Sequence, residues 1–444
     1  MLSAADRFYC TGGSKFGEGE YDAYEYNIID WDQRRQYLAV GQRPKGELDS
    51  EDLDEIQDRI AQAVGKALGS LKPSDSVVEV GLEYDAGPCS DQSGPDNRIA
   101  PFYPKLTDCP SLAGARTIRR DQLVEADRMS SLVDICYFMT LKSSKNWRAF
   151  KYYCMHANKD MIWQELHLWK GLPKHPLIAE FDRVVIDEVE SRVVGFTAAY
   201  VSGGTIQHNP PRLFKFKWLE QLIEVVDDLN LKYGILHRDI HPRNIMIESE
   251  SDSIKIIDFN FSEWIGEYRG HDIDRREDTV GAAFSLYEII TRDDSFRSDT
   301  FYYPDVATVM SMKTWEAHRD VKLDRPIEDF RRRLADWLAE RSKKPVKHFT
   351  ECLEHIPKPP ETPKSDKQSR KRKLVEDDNS VDQLTTREPV QSENGSHLVK
   401  WDRPEASKLV KGVVYLANGQ PLQGELEPVD YPAVDSPVKQ NGSA

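Results

Sequence analysis

The sequence predicts an α+β fold for the centre of the chain, with an unassigned extension before it and a disordered segment after it. Three observations carry this. Between Ile118 and Lys344, short β-branched runs alternate with amphipathic helical stripes. Before them, one helical stripe and one strand-like run stand in a loop-rich hundred residues. From Pro357 onward the chain holds ten of its 25 prolines, has no phenylalanine, and has only Trp401, Tyr415 and Tyr431 as aromatics.

Taken in order, Asp52 to Leu71 places Leu53, Ile56, Ile60, Ala63, Val64, Ala67 and Leu68 on a 3.6-residue period, which predicts a helix. Ser76 to Tyr84 reads as a strand, and Gly87 to Leu112, punctuated by Pro, Gly, Asp and Ser, as a loop. Two glycine spots here are set aside. Gly17-Glu18-Gly19 has Asp22 where a third glycine would fall, and Gly65-Lys66 lacks both the upstream glycine and the hydroxyl residue of a phosphate loop. Further on, Arg148 to Tyr153 reads as a strand and Met161 to Leu172 as a helix. Leu219, Leu222, Ile223, Val226 and Leu229 form the buried stripe of another helix. Two β-branched runs around Glu248–Ser253 predict a hairpin. Pro326 opens a helix carrying Ile327, Phe330, Leu334, Trp337 and Leu338 on one face. The Pro-rich end cannot bury enough apolar surface to offset its ordering entropy, so disorder is expected there. Leu409 to Leu416 is its one apolar patch.

Composition narrows the function. The 444 residues are 39 % hydrophobic and 30 % charged, with a net charge of −15. That balance argues against a general nucleic-acid binder, whose affinity comes from neutralising phosphates. The six scattered cysteines form no CxxC pair and no metal-ligand spacing, as expected for thiols in a reducing compartment. Asp6 and Arg7 interrupt any leader-like apolar run, and no stretch approaches a membrane span. The expectation is a soluble intracellular protein. The run Lys364, Lys367, Arg370, Lys371, Arg372 and Lys373 reads either as a nuclear localisation signal or as a solvated charge run.

The chemistry centres on His237-Arg238-Asp239-Ile240-His241-Pro242-Arg243-Asn244, followed by the hairpin and then Asp258-Phe259-Asn260. Asp239, Asn244 and Asp258 would emerge from loops at one end of a helix–hairpin scaffold. Hard oxygen ligands suit Mg²⁺, and a separate carboxylate suits a general base for an attacking hydroxyl. The ordered set resembles the catalytic loop and metal-binding motif of the protein-kinase-like superfamily. That resemblance implies two lobes, 118–206 and 207–345, after an extension over 1–117 and before a disordered tail over 357–444. It implies ATP and Mg²⁺ as cofactors. Asp239 would be the catalytic base, Asn244 and Asp258 the metal ligands, and Lys151 the phosphate-binding lysine paired with Glu165. The backbone of Ala199 and Val201 would hold adenine, and Asp278, opening a buried helix, would brace the catalytic loop.

Departures from the pattern shape the functional expectation. The stretch Glu125 to Tyr137, where a glycine-rich phosphate loop belongs, contains no glycine, leaving Ser130 and Ser131 as partial substitutes. Asn260 stands where the family has glycine. Only 19 residues separate Asp258 from Asp278, with no Ala-Pro-Glu motif, so phosphorylation-gated activation through Arg238 is not expected. His241-Pro242 resembles aminoglycoside phosphotransferases, and the whole segment is most similar to kinase-like proteins of filamentous fungi. The reading is therefore a phosphotransferase acting on a protein Ser/Thr hydroxyl. The alternatives are a pseudokinase scaffold and a small-molecule kinase. No membrane partner is expected, and the tail could dock other proteins.

Overall fold

The computed structural model describes residues 2, 6–16, 20–49, 52–71, 77–89, 102–154, 159–208, 213–267, 277–298, 305–361, 363 and 399–430. Gly17-Glu18-Gly19, the basic run at 364–373 and Tyr431 lie outside them. The extension forms its own layer pair. Strands β1 (Phe8–Phe16), β2 (Tyr21–Asp30) and β3 (Arg35–Pro44) make an antiparallel meander. Helix α1 (Leu53–Ala67) then crosses over, so that β4 (Val77–Val80) pairs parallel with β3, and β5 (Ala86–Pro88) closes the edge. Ile56, Ile60, Ala63 and Val64 of the predicted stripe pack against Tyr24, Tyr26, Ile28, Tyr37 and Val78, whose alternation marks the inner face of the sheet. Gly65 sits in that contact: a Cβ there would lie 2.7 Å from the Phe8 ring. It is a close-packing residue.

The second sheet begins with β6 (Thr117–Arg119). With β7 (Val124–Ser130), β8 (Val133–Met139), β9 (Lys145–Tyr152), β10 (Phe181–Ile186) and β11 (Val193–Ala199), it makes a six-stranded sheet ordered β6-β10-β11-β9-β8-β7. Helix α2 (Lys159–Gly171) follows β9 and buries Ile162, Trp163, Leu166 and Leu168. Below the sheet, β12 (Leu213–Phe214) leads into α3 (Phe216–Asp227), and a π-helical turn over Asp228–Lys232 brings Leu229 inward. Next come β13 (Ile235–Leu236), the hairpin β14 (Ile245–Glu248) with β15 (Ser253–Ile256), and β16 (Glu263–Trp264), which pairs with β13. Helix α4 (Asp278–Thr291) is buried along nearly its whole length. Helices α5 (Ser295–Ser298) and α6 (Ala307–Met310), strand β17 (Lys322–Leu323) beside β12, and α7 (Ile327–Arg341) complete the lobe. Pro326 caps α7 from just outside it, and Phe330, Leu334 and Trp337 are its buried face.

The expected disorder of 357–444 is corrected for residues 399–430, which fold back over the six-stranded sheet. Trp401 stacks on Tyr152 (centroids 5.0 Å apart, 20° between planes) and donates its indole N–H to Tyr103 Oη at 2.6 Å. The Arg34 and Arg120 guanidiniums lie 5.4 and 4.8 Å from the same ring. Arg403 donates to Asp134 (2.7 Å), Glu125 (3.0 Å) and the carbonyls of Asp32 (2.6 Å) and Trp31 (3.1 Å). Backbone bonds from Ala417 to Leu123, from Glu125 to Tyr415 and from Val429 to Met139 continue the strap along β7 and β8. Composition hid this because a few anchors suffice once distant residues supply an aromatic slot and two carboxylates. The Leu409–Leu416 patch bridges Leu416 to Val124 of the sheet and Tyr415 to Pro421 within the strap, while Leu409, Val410, Val413 and Val414 stay exposed. The described part of the tail thus docks on its own chain. Among the described residues, no helix is long and apolar enough to cross a membrane.

Candidate active site

Loop 237–244 lies between β13 and β14, and its backbone is held from beneath. The Asp278 carboxylate, at the first turn of α4, accepts N–H groups from His237 (2.8 Å) and Arg238 (2.7 Å) and the Asn230 amide (2.7 Å). The sequence-based expectation that Asp278 braces this loop matches that geometry. Ser285 and Arg297 both donate to the Ile240 carbonyl, at 2.9 and 3.0 Å. Gly281 lets α4 approach closely, since a Cβ there would come within 3.0 Å of Ile240 Cβ. Arg238 holds φ of +65°, and its guanidinium pairs in the interior with Glu263 of β16. Glu263 carried no sequence signal, because its role comes only from the pairing of β13 with β16.

Across the cleft, Lys151 projects from β9 and donates to Glu165 Oε1 of α2 at 2.8 Å and to Asp258 Oδ1. Glu165 Oε1 also accepts the Phe259 N–H at 2.9 Å. Phe259 is fully buried between Trp169 and His237, with centroids 5.2 and 4.9 Å away, which locks the segment after β15 in one register. The three charges set one another's protonation. Burial pushes the Glu165 carboxyl up to about 7 against the pull of Lys151. Burial would lower Lys151, yet the two carboxylates hold it above the ordinary lysine value. Burial would likewise raise Asp258, and Lys151 more than offsets that. Asp258, at φ +69°, is the residue in the left-handed region here. Asn260 is not, so the glycine of the family pattern is not required at 260.

Asp239 and Asn244 meet on the open side of the loop. The Asn244 amide donates to Asp239 Oδ2 (2.7 Å) and to the Asp239 carbonyl (3.0 Å). This turns Asn244 Oδ1 outward, where it has no hydrogen-bond donor among the described residues. Asp258 Oδ2 is likewise unused. An amide oxygen and a carboxylate oxygen are hard donors of the kind Mg²⁺ takes alongside phosphate oxygens, so this pair fits the ion the family implies. Among the described residues no group of three or more His, Cys, Asp or Glu could hold a metal. At the junction between lobes, the Ala199 N–H is spent on the Glu180 carbonyl at 2.8 Å, leaving only its carbonyl for a base. The Val201 N–H has no backbone partner among the described residues.

Sequence reasoning missed three features. The Glu125–Tyr137 stretch is a tight hairpin whose turn residue, Leu132, takes φ +65° and buries its side chain in the core. Arg243 places its Nη2 2.8 and 3.0 Å from the two Asp239 oxygens; its i+4 spacing was the available signal. His241 lines a cavity of about 110 Å³ with Phe214, Trp218, Glu288 and Arg292. Burial, aided by Arg297 and Arg243, drives its imidazole down to about 2, so the ring is neutral.

Residues 136–279 match the family model for the protein kinase domain, about a third of the chain. The matched segment contains Lys151, Glu165, Ala199, Val201, Asp239, Asn244, Asp258 and Asp278, and it starts after β7. Among curated proteins, the chain is 25 % identical over 154 residues to the serine/threonine-protein kinase PknB of Mycobacterium tuberculosis, covering 28 % of this chain and 24 % of that protein. It is 32 % identical over 114 residues to the CBL-interacting serine/threonine-protein kinase 16 of Arabidopsis thaliana, covering 23 % of each. It is 26 % identical over 128 residues to a probable serine/threonine-protein kinase of Streptomyces coelicolor, covering 23 % of this chain and 19 % of that protein. The chain spans about a quarter or less of the length of these curated relatives.

Proposed function

We propose that this chain is an ATP- and Mg²⁺-dependent phosphotransferase that transfers the γ-phosphoryl group to a Ser or Thr hydroxyl on protein. The observation that carries the reading is the assembled chain Phe259 N–H, Glu165, Lys151 and Asp258 standing across the cleft from Asp239 and Asn244. In this reading Lys151, fixed by Glu165, binds nucleotide phosphates, while the Ala199 carbonyl and Val201 N–H orient adenine. Asn244 Oδ1 and Asp258 Oδ2 hold Mg²⁺, which neutralises phosphate charge when bound. Asp239 orients the acceptor hydroxyl and takes its proton as the oxygen attacks. Glu263 keeps Arg238 neutralised from within, consistent with a segment that needs no phosphate to hold it. The serine/threonine kinases found among the relatives support a protein acceptor. The 19 residues between Asp258 and Asp278 and the His241-Pro242 pair favour a smaller acceptor, of the aminoglycoside-phosphotransferase kind, as the second possibility.

The test uses the full chain with labelled ATP and Mg²⁺, a peptide library and a metabolite panel, beside Asp239→Asn and Lys151→Met. Transfer by wild type, reduced at least a hundredfold in both variants, is the expected result. No turnover above Asp239→Asn would overturn it. The glycine-free hairpin with Leu132 buried favours one other reading, a nucleotide-binding pseudokinase. A thermal shift with Mg-ATP but no transfer would select that reading.

A further inference from the structure

We infer that Arg243 reads negative charge on the acceptor, so that the site prefers a hydroxyl flanked by a carboxylate or a phosphate. The inference rests on the phosphotransfer reading for what the acceptor is, but its physical basis is separate. Arg243 stands four residues after Asp239 on the turn Pro242–Asn244, and one nitrogen of its guanidinium spans both oxygens of the base. Nε and Nη1, which carry three of its five N–H donors, have no partner among the described residues. The Arg243 side chain is 47 % exposed while that of Asp239 is 6 % exposed, so those donors lie on the open side of the carboxylate.

Asp239 Oδ2 already accepts from Asn244, and Arg243 covers both oxygens. Asp239 Oδ1 keeps one acceptor position open, so an acceptor hydroxyl reaching it comes to lie beside the Arg243 guanidinium. A neighbouring carboxylate or phosphate on the acceptor gives Nε and Nη1 of that guanidinium a charge-assisted partner, whereas a neighbouring lysine would be repelled. The nearby His241 is neutral and Asp258 is engaged by Lys151, so neither opposes an anion approaching Arg243. A half-exposed pair of this kind supports a discrimination of roughly fivefold.

The experiment measures binding of labelled serine peptides by fluorescence anisotropy, with Asp, phosphoserine, Ala or Lys beside the serine, on the full chain without ATP. Wild type should bind the two anionic peptides about fivefold more tightly than the lysine peptide. Arg243→Ala should bring that ratio near one, Arg243→Lys should keep part of it, and Arg243→Glu should invert it. A ratio near one in wild type, or one unchanged in Arg243→Ala, overturns the inference. So does an Arg243→Ala variant whose sole defect is a smaller thermal shift with Mg-ATP, which would assign the guanidinium to the nucleotide. Because binding is read without turnover, an anion preference in a chain that transfers no phosphate would refute the phosphotransfer reading and leave this one standing.

Discussion

Replacing Arg403 with alanine tests whether the strap over 399–430 is part of the fold. The guanidinium is buried and joins the strap to Asp134 and Glu125 of the six-stranded sheet and to the carbonyls of Asp32 and Trp31 in the extension. Removing one partner of a buried ion pair typically costs about 3–5 kcal/mol, because the charge left behind loses its compensation. Here Asp134 keeps Arg34 and Glu125 keeps Arg128, which places the expected loss near the lower end, about 3 kcal/mol. At roughly 2–4 °C per kcal/mol for a body of this size, Tm should fall by roughly 6–12 °C. Differential scanning fluorimetry of the full chain and its variant reads this directly. Removing Asp134 as well should not recover the loss, since that also takes from the buried Arg34 its close carboxylate partner. The pH dependence has a fixed sign. Burial would raise Asp134, but Arg403 and Arg34 hold it below the usual carboxylate value. Its contribution is full above about pH 4 and fades as pH falls through the lower folded value, so the gap between wild type and variant narrows in acid. A variant melting within about 1 °C of wild type at neutral pH would refute the claim that the strap is structural.

Two further outcomes follow from the site. Asp278→Ala leaves three buried donors, the N–H groups of His237 and Arg238 and the Asn230 amide, without their acceptor, and should lower stability by about 3 kcal/mol in urea unfolding. An unchanged urea midpoint would show that the loop does not depend on this brace. His241 is held at about 2 when folded, so between the ordinary histidine value and that limit the unfolded chain binds a proton that the folded chain refuses. Stability is full above about pH 6.5 and declines below it, by roughly 2 kcal/mol at about pH 5. His241→Asn should show a smaller drop over that interval, and an equal drop would exclude His241 as its source.

The site residues were legible where the chemistry is local. Asp239, Asn244 and Asp258 sit on one loop–hairpin–loop unit, so their spacing alone places them at one end of it. Lys151 and Glu165 could be singled out only through the family resemblance, since a lone lysine on a strand or glutamate on a helix carries no local signal. Asp278 was expected as the brace through the family resemblance, and the three donors it accepts supply the geometry. The glycine-free stretch was read correctly as a departure, but its consequence was not: a Leu132 side chain turned into the core depends on the hairpin register. Asn260 stands where the family pattern has glycine, but the left-handed backbone falls at Asp258.

What the sequence determined by itself was the alternation of helices and strands and the residue types at the cleft, since both follow from short-range periodicity and spacing. The tertiary structure decided which charges neutralise which. Arg238 meets Glu263, Arg243 covers Asp239, and Arg403 reaches Asp134 across 269 positions of chain. It also decided that residues 399–430 fold, against their composition. The physical reason is the same in each case. A buried charge or a lone tryptophan is stable only beside partners that topology brings from elsewhere, and no local pattern encodes that meeting.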